Sequence, residues 1–221
     1  MPRGYEQYCG LARALDLVGG RWSLLIVREL LTGPKRFSEL EQGLHGIATN
    51  VLSSRLKDLE EAGLVRRSLV SPASSSVVYG LTPYGLELED PVVQLGTWGS
   101  KSLGTPGPGD VFSPSSFALA LRGAFQPARA SGHDIEFEIR VAGRPILVSV
   151  IDGELTIPVA SMSEPHVVLE GDPRVFVELL HGTVDIDEAI SSGRVELEGS
   201  KRVARRIFEI FRLPARREAA I

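Results

Sequence analysis

The hydrophobic positions change period along this chain, and each change marks an element. Over residues 49–62, Leu52, Leu56 and Leu59 fall at i, i+4 and i+7, an apolar stripe with helical spacing. Ahead of it, residues 37–42 read as a short helix and residues 44–47 as a turn. Gly63 follows the stripe at the position that favours a left-handed residue and stops a helix. Residues 64–70 and 77–81 then read as two strands joined by a Ser/Ala/Pro loop at 71–76. Thr82-Pro83 opens the next helix, an N-cap followed by proline at the first helical position. That helical pattern runs to residue 103, with a break expected at Pro91. Helix, turn, helix and two-stranded ribbon within about fifty residues is the order of a winged helix, which sets one helix into the DNA major groove with a hairpin beside it. Taken alone, the same order also fits an ordinary α+β hairpin motif.

The polar side of the 49–62 helix separates these readings. It carries Asn50, Ser53, Ser54, Lys57 and Glu61, short donors and acceptors with one cation. A helix that merely faces solvent usually carries i,i+4 charge pairs there. Small polar side chains suit close approach to base edges and phosphates. Arg55 sits at the edge of this face, where its planar fork suits a phosphate. Lys35, Arg36, Arg66 and Arg67 add cations in the same region. With Ser38 and Thr49 these residues make up the expected DNA-contacting set.

The pattern changes after a Gly/Pro-dense stretch at 104–110, which cannot continue the preceding helix. Residues 117–125 form a short apolar helix. Residues 134–141 alternate strictly between apolar and polar, the mark of a half-buried strand. Residues 144–151 and 154–158 follow as strands, separated by turns at Ala142-Gly143 and Asp152-Gly153. A strand lies around Val167-Val168-Leu169. Asp172-Pro173 opens a helix to residue 181, residues 185–191 form a short helix, 195–197 a short strand, and 201–212 the last helix. The domains expected are thus 1–103, a linker at 104–110, and 111–221, both α+β.

Several spaced blocks in the first half carry a resemblance. They are Tyr8-Cys9-Gly10 through Gly19-Gly20-Arg21-Trp22-Ser23 to Leu30, Arg36-Phe37-Ser38-Glu39-Leu40, Leu52-Ser53-Ser54-Arg55-Leu56 through Gly63-Leu64-Val65, and Tyr79-Gly80-Leu81-Thr82-Pro83-Tyr84-Gly85. Over about residues 5–100 the chain resembles the HxlR-type, MarR-like winged-helix regulators. The resemblance implies a bacterial, cytoplasmic transcription regulator that is a homodimer, with terminal helices at 7–18 and 83–101 as the interface. Val93, Leu95 and Trp98 suit packing against a partner subunit. The implied partner is double-stranded DNA carrying a near-palindromic operator, and repression is the expected mode. Two positions depart from the family: Ala48 stands where Ser or Thr usually caps the recognition helix, so Thr49 is expected to cap one residue later, and the wing loop has no Arg or Lys at its tip.

The second half resembles the sterol-carrier-protein type over about residues 115–214. The carrying residues are Val167-Val168-Leu169-Glu170-Gly171-Asp172-Pro173, Leu179-Leu180-His181-Gly182, and Ala189 through Gly193-Arg194-Val195-Glu196-Leu197-Glu198-Gly199. This implies a five-stranded sheet covered by helices around an apolar tunnel, with an apolar small molecule as effector. Phe117, Leu121, Phe125, Phe137, Ile139, Val148, Val150, Phe176, Leu179, Leu180, Phe208 and Phe211 are candidates for its wall. The same residues equally fill a solid core, because core and pocket walls share a composition.

Composition sharpens the division. The chain of 221 residues has a net charge of −4, which a nucleic-acid binder does not advertise. Residues 1–103 hold 11 Lys+Arg and 11 Asp+Glu, whereas 104–221 hold 13 and 17, so the excess acid belongs to the second half. No apolar run reaches the ~18 residues of a membrane span, and the start of the chain has no apolar signal core, so a cytoplasmic protein without membrane contact is expected. One cysteine excludes an internal disulfide framework. Cys9 reads as a small buried residue of the first helix, with a thiol-sensing role as the alternative. His45, His133, His166 and His181 lack ligand spacing and read as turn or surface residues, so no metal is expected. No phosphate loop, dinucleotide fingerprint or nucleophile elbow is present, so neither a cofactor nor an enzyme is expected. The cluster Asp185, Asp187 and Glu188 reads as the acidic first turn of a helix. The basic end, Lys201, Arg202, Arg205, Arg206, Arg212, Arg216 and Arg217, reads as an amphipathic helix packed on its own domain, with contact to an anionic membrane or DNA as the alternative. A rival from another class is a lipid carrier whose winged helix serves protein contacts.

Overall fold

The computed structural model describes residues 4–69, 76–104, 107, 109–141, 143–157 and 164–216. The wing tip at 70–75, much of the Gly/Pro stretch, Ala142, Pro158 to Ser163 and Arg217 lie outside the described residues, and with them the readings made there. The chain divides into two compact units, Met1–Val92 and Val93–Ile221. The boundary falls inside a helix, ahead of the Gly/Pro stretch that the sequence marks.

The first unit begins with α1 (Gly10–Val18). Residues 4–9 are not helical, so the helix is shorter than the 7–18 expected, and Cys9 is its N-cap. Cys9 is exposed, which corrects the reading of a buried helical residue. A tight turn through Gly19 and Gly20 leads to α2 (Ser23–Leu30). Its N-cap Trp22 is left-handed, at φ 81° and ψ −20°. For a bulky residue that conformation costs about 1–3 kcal/mol and persists only where the surroundings fix it.

The helix-turn-helix is α3 (Phe37–Gly43) and α4 (Thr49–Glu61). Glu39 Oε2 accepts from the Arg36 backbone N–H at 2.6 Å and fixes the start of α3. On α4, Leu52, Leu56 and Leu59 are buried, as the stripe requires. Thr49 is not the cap: Ala48 holds that position without a side-chain bond, and Thr49 Oγ1 instead donates to Glu41 Oε1 at 2.6 Å. A hydroxyl one residue inside the helix points away from the orphan amides, so it ties α4 to α3. Gly63 ends the helix at φ +72°.

The ribbon is β1 (Val65–Leu69) and β2 (Val77–Leu81), antiparallel from Val65↔Leu81 to Leu69↔Val77. Lys35 adds a short third rung through paired backbone bonds with Tyr79 (2.9 and 2.8 Å). Thr82 caps α5 (Pro83–Leu86), its Oγ1 accepting from Gly85 N at 3.0 Å, as the sequence predicts. The break in the following helix lies at 87–88 rather than at Pro91. Pro91 sits in the first turn of α6 (Glu89–Ser100), where its missing N–H costs nothing.

The second unit takes up α6 from Val93. Its Gly96 lies so close to Leu119 that a Cβ would meet Leu119 Cδ2 at 3.1 Å, and Gly123 lies as closely over Thr97. Leu119 and Gly123 belong to α7 (Pro114–Ala124), capped by Ser113 Oγ accepting from Ser116 N at 3.0 Å. A one-turn helix that the sequence reading lacked, α8 (Pro127–Ala130), precedes the sheet. The strands β3 (Ile135–Val141), β4 (Arg144–Ile151), β5 (Glu154–Thr156), β6 (Val167–Gly171) and β7 (Val195–Gly199) form one sheet in the order β5-β4-β3-β6-β7. Only the β3–β6 pairing is parallel. Asp152 and Gly153 both have positive φ, as a two-residue hairpin of this hand requires. On β3 every second residue is buried, matching the strict alternation of its sequence. The remaining helices are α9 (Pro173–His181), α10 (Ile186–Ser191) and α11 (Lys201–Ile210).

Candidate functional site

Two sets of residues carry the functional reading: the outward face of α4 with its neighbours, and the apolar interior of the second unit. On α4, Thr49, Asn50, Ser53, Ser54 and Lys57 are all exposed, and the Lys57 side chain is 76% accessible. The buried leucine stripe fixes this outcome, because a helix pinned on one side must present the other. The face is not free of charge pairs: Lys57 Nζ lies 3.7 Å from Glu61, and Arg55 Nη1 donates to Asp58 Oδ2 at 2.6 Å. Such exposed pairs are worth little in stability, and their partners can be exchanged for phosphate oxygens.

The other cations divide. Arg36 and Ser38 are exposed at the start of α3. Arg66 and Arg67 are exposed on β1, with Arg67 over the Tyr79 ring at 5.6 Å and 4.0 Å from Glu60. Lys35 is drawn inward instead. Its Nζ donates to Glu29 Oε2 at 2.6 Å, and Arg28 Nη2 donates to Glu29 Oε1 at 2.7 Å. The Glu29 side chain is 2% exposed. A Cβ at Gly43 would stand 2.6 Å from Glu29 Oε2, so the close of α3 fits over this carboxylate only with glycine there. Lys35 therefore braces α2 against the ribbon and α3. Sequence reasoning placed Lys35 among the surface cations because nothing local tells a strut from a contact. Arg55 is half-buried with its guanidinium against Gly20, where a Cβ would lie 3.0 Å from Nη1.

In the second unit, Phe117, Leu121, Phe137, Ile139, Val148, Val150, Phe176, Leu179, Leu180, Phe208 and Phe211 are buried in one cluster, with Phe125 packed at its edge. Ring pairs run through it: Phe117–Phe176 at 5.9 Å, Phe125–Phe211 at 5.5 Å and Phe137–Phe211 at 5.7 Å. None of the twelve lines either of two surface clefts in this unit. One, of about 620 Å³, has Glu170, Asp172, Arg174 and Arg194 in its wall. The other, of about 780 Å³, has His133, Asp134, Arg202 and Arg206. The Asp172 carboxylate is held down to about 2 by the Arg174 guanidinium and backbone N–H.

The basic helix packs as expected: Ala204, Ile207, Phe208 and Ile210 face inward, Arg205 pairs with Asp187 at 2.7 Å, and Arg212 Nη1 donates to the carbonyl of Leu179 at 3.1 Å. Asp185 caps α10 through Asp187 N. His45, His133 and His166 are exposed, and His166 Nδ1 accepts from Glu136 N at 3.1 Å. His181 lies 3.2 Å from the Pro214 carbonyl, and burial with the Arg216 charge lowers its pKa. Among the described residues no cluster of His, Cys, Asp or Glu could hold a metal ion, and no helix is long and apolar enough to cross a membrane.

Comparison with known proteins bears on both units. The profile of the HxlR-like helix-turn-helix family matches residues 17–106. The uncharacterized HTH-type transcriptional regulator YvaP of Bacillus subtilis is 37% identical over 89 residues, which are 40% of this chain and 82% of that protein. The chain belongs to the HxlR-like helix-turn-helix family. The uncharacterized HTH-type transcriptional regulator Mb3122 of Mycobacterium bovis is 44% identical over 43% of this chain and 60% of its own length. The quinone-bound structure of YodB from B. subtilis is similar at 33% identity and a TM-score of 0.36, over 41% of this chain and 96% of that one. The SCP-2 sterol transfer family matches residues 124–212, which hold the five-stranded sheet and its helices. The HxlR-like chain thus carries an SCP-2-type unit behind its helix-turn-helix.

Proposed function

We propose that this protein is a DNA-binding transcription regulator that reads its operator with α4. The observation that carries the reading is the face of Asn50, Ser53, Ser54 and Lys57, exposed opposite a fully buried leucine stripe. Short polar side chains on a firmly seated helix suit base edges, and Arg36, Arg66 and Arg67 stand on neighbouring elements to meet phosphates. Lys35 drops out of the contacting set, because its charge is engaged by Glu29. Regulators of this kind act as dimers on two half-sites about one helical turn apart. The exposed apolar side chains Tyr8, Leu11 and Leu15, at and before α1, and Leu95 and Trp98, on α6, support a homodimer. Repression, by occupying the operator, is the proposed mode.

The second unit is read as the sensor, with an apolar small molecule as effector, on the strength of its SCP-2 match. An effector releases DNA only if it prefers the unbound geometry.

The test is selection of duplexes from a random pool by the full chain, followed by titration of single-base variants of the selected site. Asn50→Ala or Ser53→Ala should change base preference by about 1–3 kcal/mol at one position. Lys57→Ala should weaken all sites alike. A near-palindromic site and a dimer by light scattering complete the reading. Failure to select any site, or unchanged binding in all three variants, would remove α4 as the reader.

A further inference from the structure

The turn between α1 and α2 holds an arginine that the DNA-contacting set above does not include. Arg21 is exposed, its guanidinium lies over the Trp22 indole with Cζ 5.5 Å from the ring centroid, and no carboxylate pairs with it among the described residues. The indole is there because Trp22 adopts a left-handed backbone conformation, with φ 81°. Gly19 and Gly20 bring the chain into that conformation at close quarters: a Cβ at Gly19 would meet the Leu15 carbonyl oxygen at 2.4 Å. One residue before Arg21, the backbone of Gly20 rests against the Arg55 guanidinium of α4. A fixed arginine is therefore held at the flank of the recognition helix.

An arginine stacked on an aromatic face loses freedom of its side chain but keeps the in-plane N–H donors that fit two phosphate oxygens at once. An element flanking a helix in the major groove meets the sugar-phosphate backbone, not the base edges. Arg55 is close by, and its partly exposed pair with Asp58 can open toward a phosphate oxygen, unlike the buried pair of Lys35 with Glu29.

We propose that the Arg21–Trp22 pair is a phosphate clamp, contacting the DNA backbone beside the groove that α4 occupies. This rests on the DNA-binding reading of α4. The clamp adds affinity and sets the register of the protein on the duplex without reading sequence.

The experiment uses the full chain and a duplex that the wild-type protein selects. Affinity is measured against salt concentration for wild type, Arg21→Ala, Arg21→Lys, and a control, Arg144→Ala, which removes an exposed arginine from the second unit. Loss of one phosphate contact lowers the magnitude of the log–log salt slope by about 0.9. Arg21→Ala should show that drop, with the same fold-loss on every single-base variant of the site. Arg21→Lys should restore the slope but not the full affinity, since an ammonium lacks the flat fork. Arg144→Ala should leave both unchanged. Arg21 is exposed, and a melting temperature equal to wild type for Arg21→Ala confirms an intact fold. An Arg21→Ala slope and affinity equal to wild type overturn the clamp while leaving the α4 reading intact. A change in base preference at one position would make Arg21 a base reader and also overturn it. A wild-type chain that binds no duplex removes the α4 reading, and the clamp with it.

Discussion

Glu29 lies inside the first unit with its carboxylate between Lys35 and Arg28, whereas the ion pairs of the second unit, such as Arg140 with Glu138 and Glu170, sit at its margin. The first unit is small, and its helices must present a polar face on one side and an exposed apolar one on α1. Ile26, Val27 and Leu30 of α2 and Leu40 of α3 are buried beside the three leucines of α4, and the hydrogen-bonded Glu29 adds a charge to that packing. The second unit has a mixed sheet and the helices α7, α9 and α11 to pack, and its aromatic side chains meet each other. A buried charge adds to the apolar packing in one unit, and aromatic shape complementarity predominates in the other.

The largest effect is expected where shape alone is at work. Phe137 is fully buried against Phe211. Phe137→Ala should destabilise the second unit by about 3–5 kcal/mol. Hydrogen exchange followed peptide by peptide in the full chain should show the loss in β3, β4 and α11. A loss below about 1 kcal/mol would mean that the interior around Phe137 is loose, and would favour a ligand-sized void over a packed core.

Next comes the charge in the first unit. Glu29→Gln keeps the volume but removes the negative charge and turns one of the two acceptor oxygens, which take bonds from Lys35 and Arg28, into an N–H donor. Both cations retain some access to water, so the cost should be about 2–3 kcal/mol, below that of breaking a fully buried pair. The same exchange experiment should show α2 and α3 opening together while the second unit is unaffected. If α3 keeps its protection, Glu29 is not what seats it.

The smallest effect concerns the edge of the second unit. Asp172 caps α9 through Arg174 N at 2.8 Å, and Asp172→Ala should cost about 1 kcal/mol. Its pKa is lowered from 3.8 to about 2, so its contribution is fully present above pH 3.8 and is lost as pH falls toward 2. His181 acts in the same direction at higher pH. Its pKa is lowered mainly by burial, so the unfolded state takes up the proton first and stability falls as pH drops below about 6.5. Denaturant midpoints across this range should show both slopes in wild type, the lower one absent from Asp172→Ala and the upper one from His181→Gln. A profile that is flat in wild type would count against both assignments.

Local pattern was enough for most of the elements. The leucine stripe, Gly63, Thr82-Pro83, the alternation of β3 and the Asp152-Gly153 turn each encode their conformation within a few residues, because spacing, φ preference and capping are local properties. The same locality makes the outward face of α4 legible, since a stripe of buried leucines dictates what lies opposite. Errors appeared where a neighbour distant in sequence decides the outcome. Thr49 looks like a cap until Glu41 takes its hydroxyl, and Lys35 looks like a surface cation until Glu29 takes its charge. Gly43 gives no sign in sequence that a buried carboxylate lies against it, nor Gly20 that Arg55 does. Cys9 resembles a helical core residue by composition, but it is exposed where α1 begins. The sequence by itself determined the elements, their order and which face of each is apolar. Only the tertiary structure decided which polar side chains are spent inside the fold and which remain exposed, because a charge is claimed by whichever partner folding brings within hydrogen-bond reach.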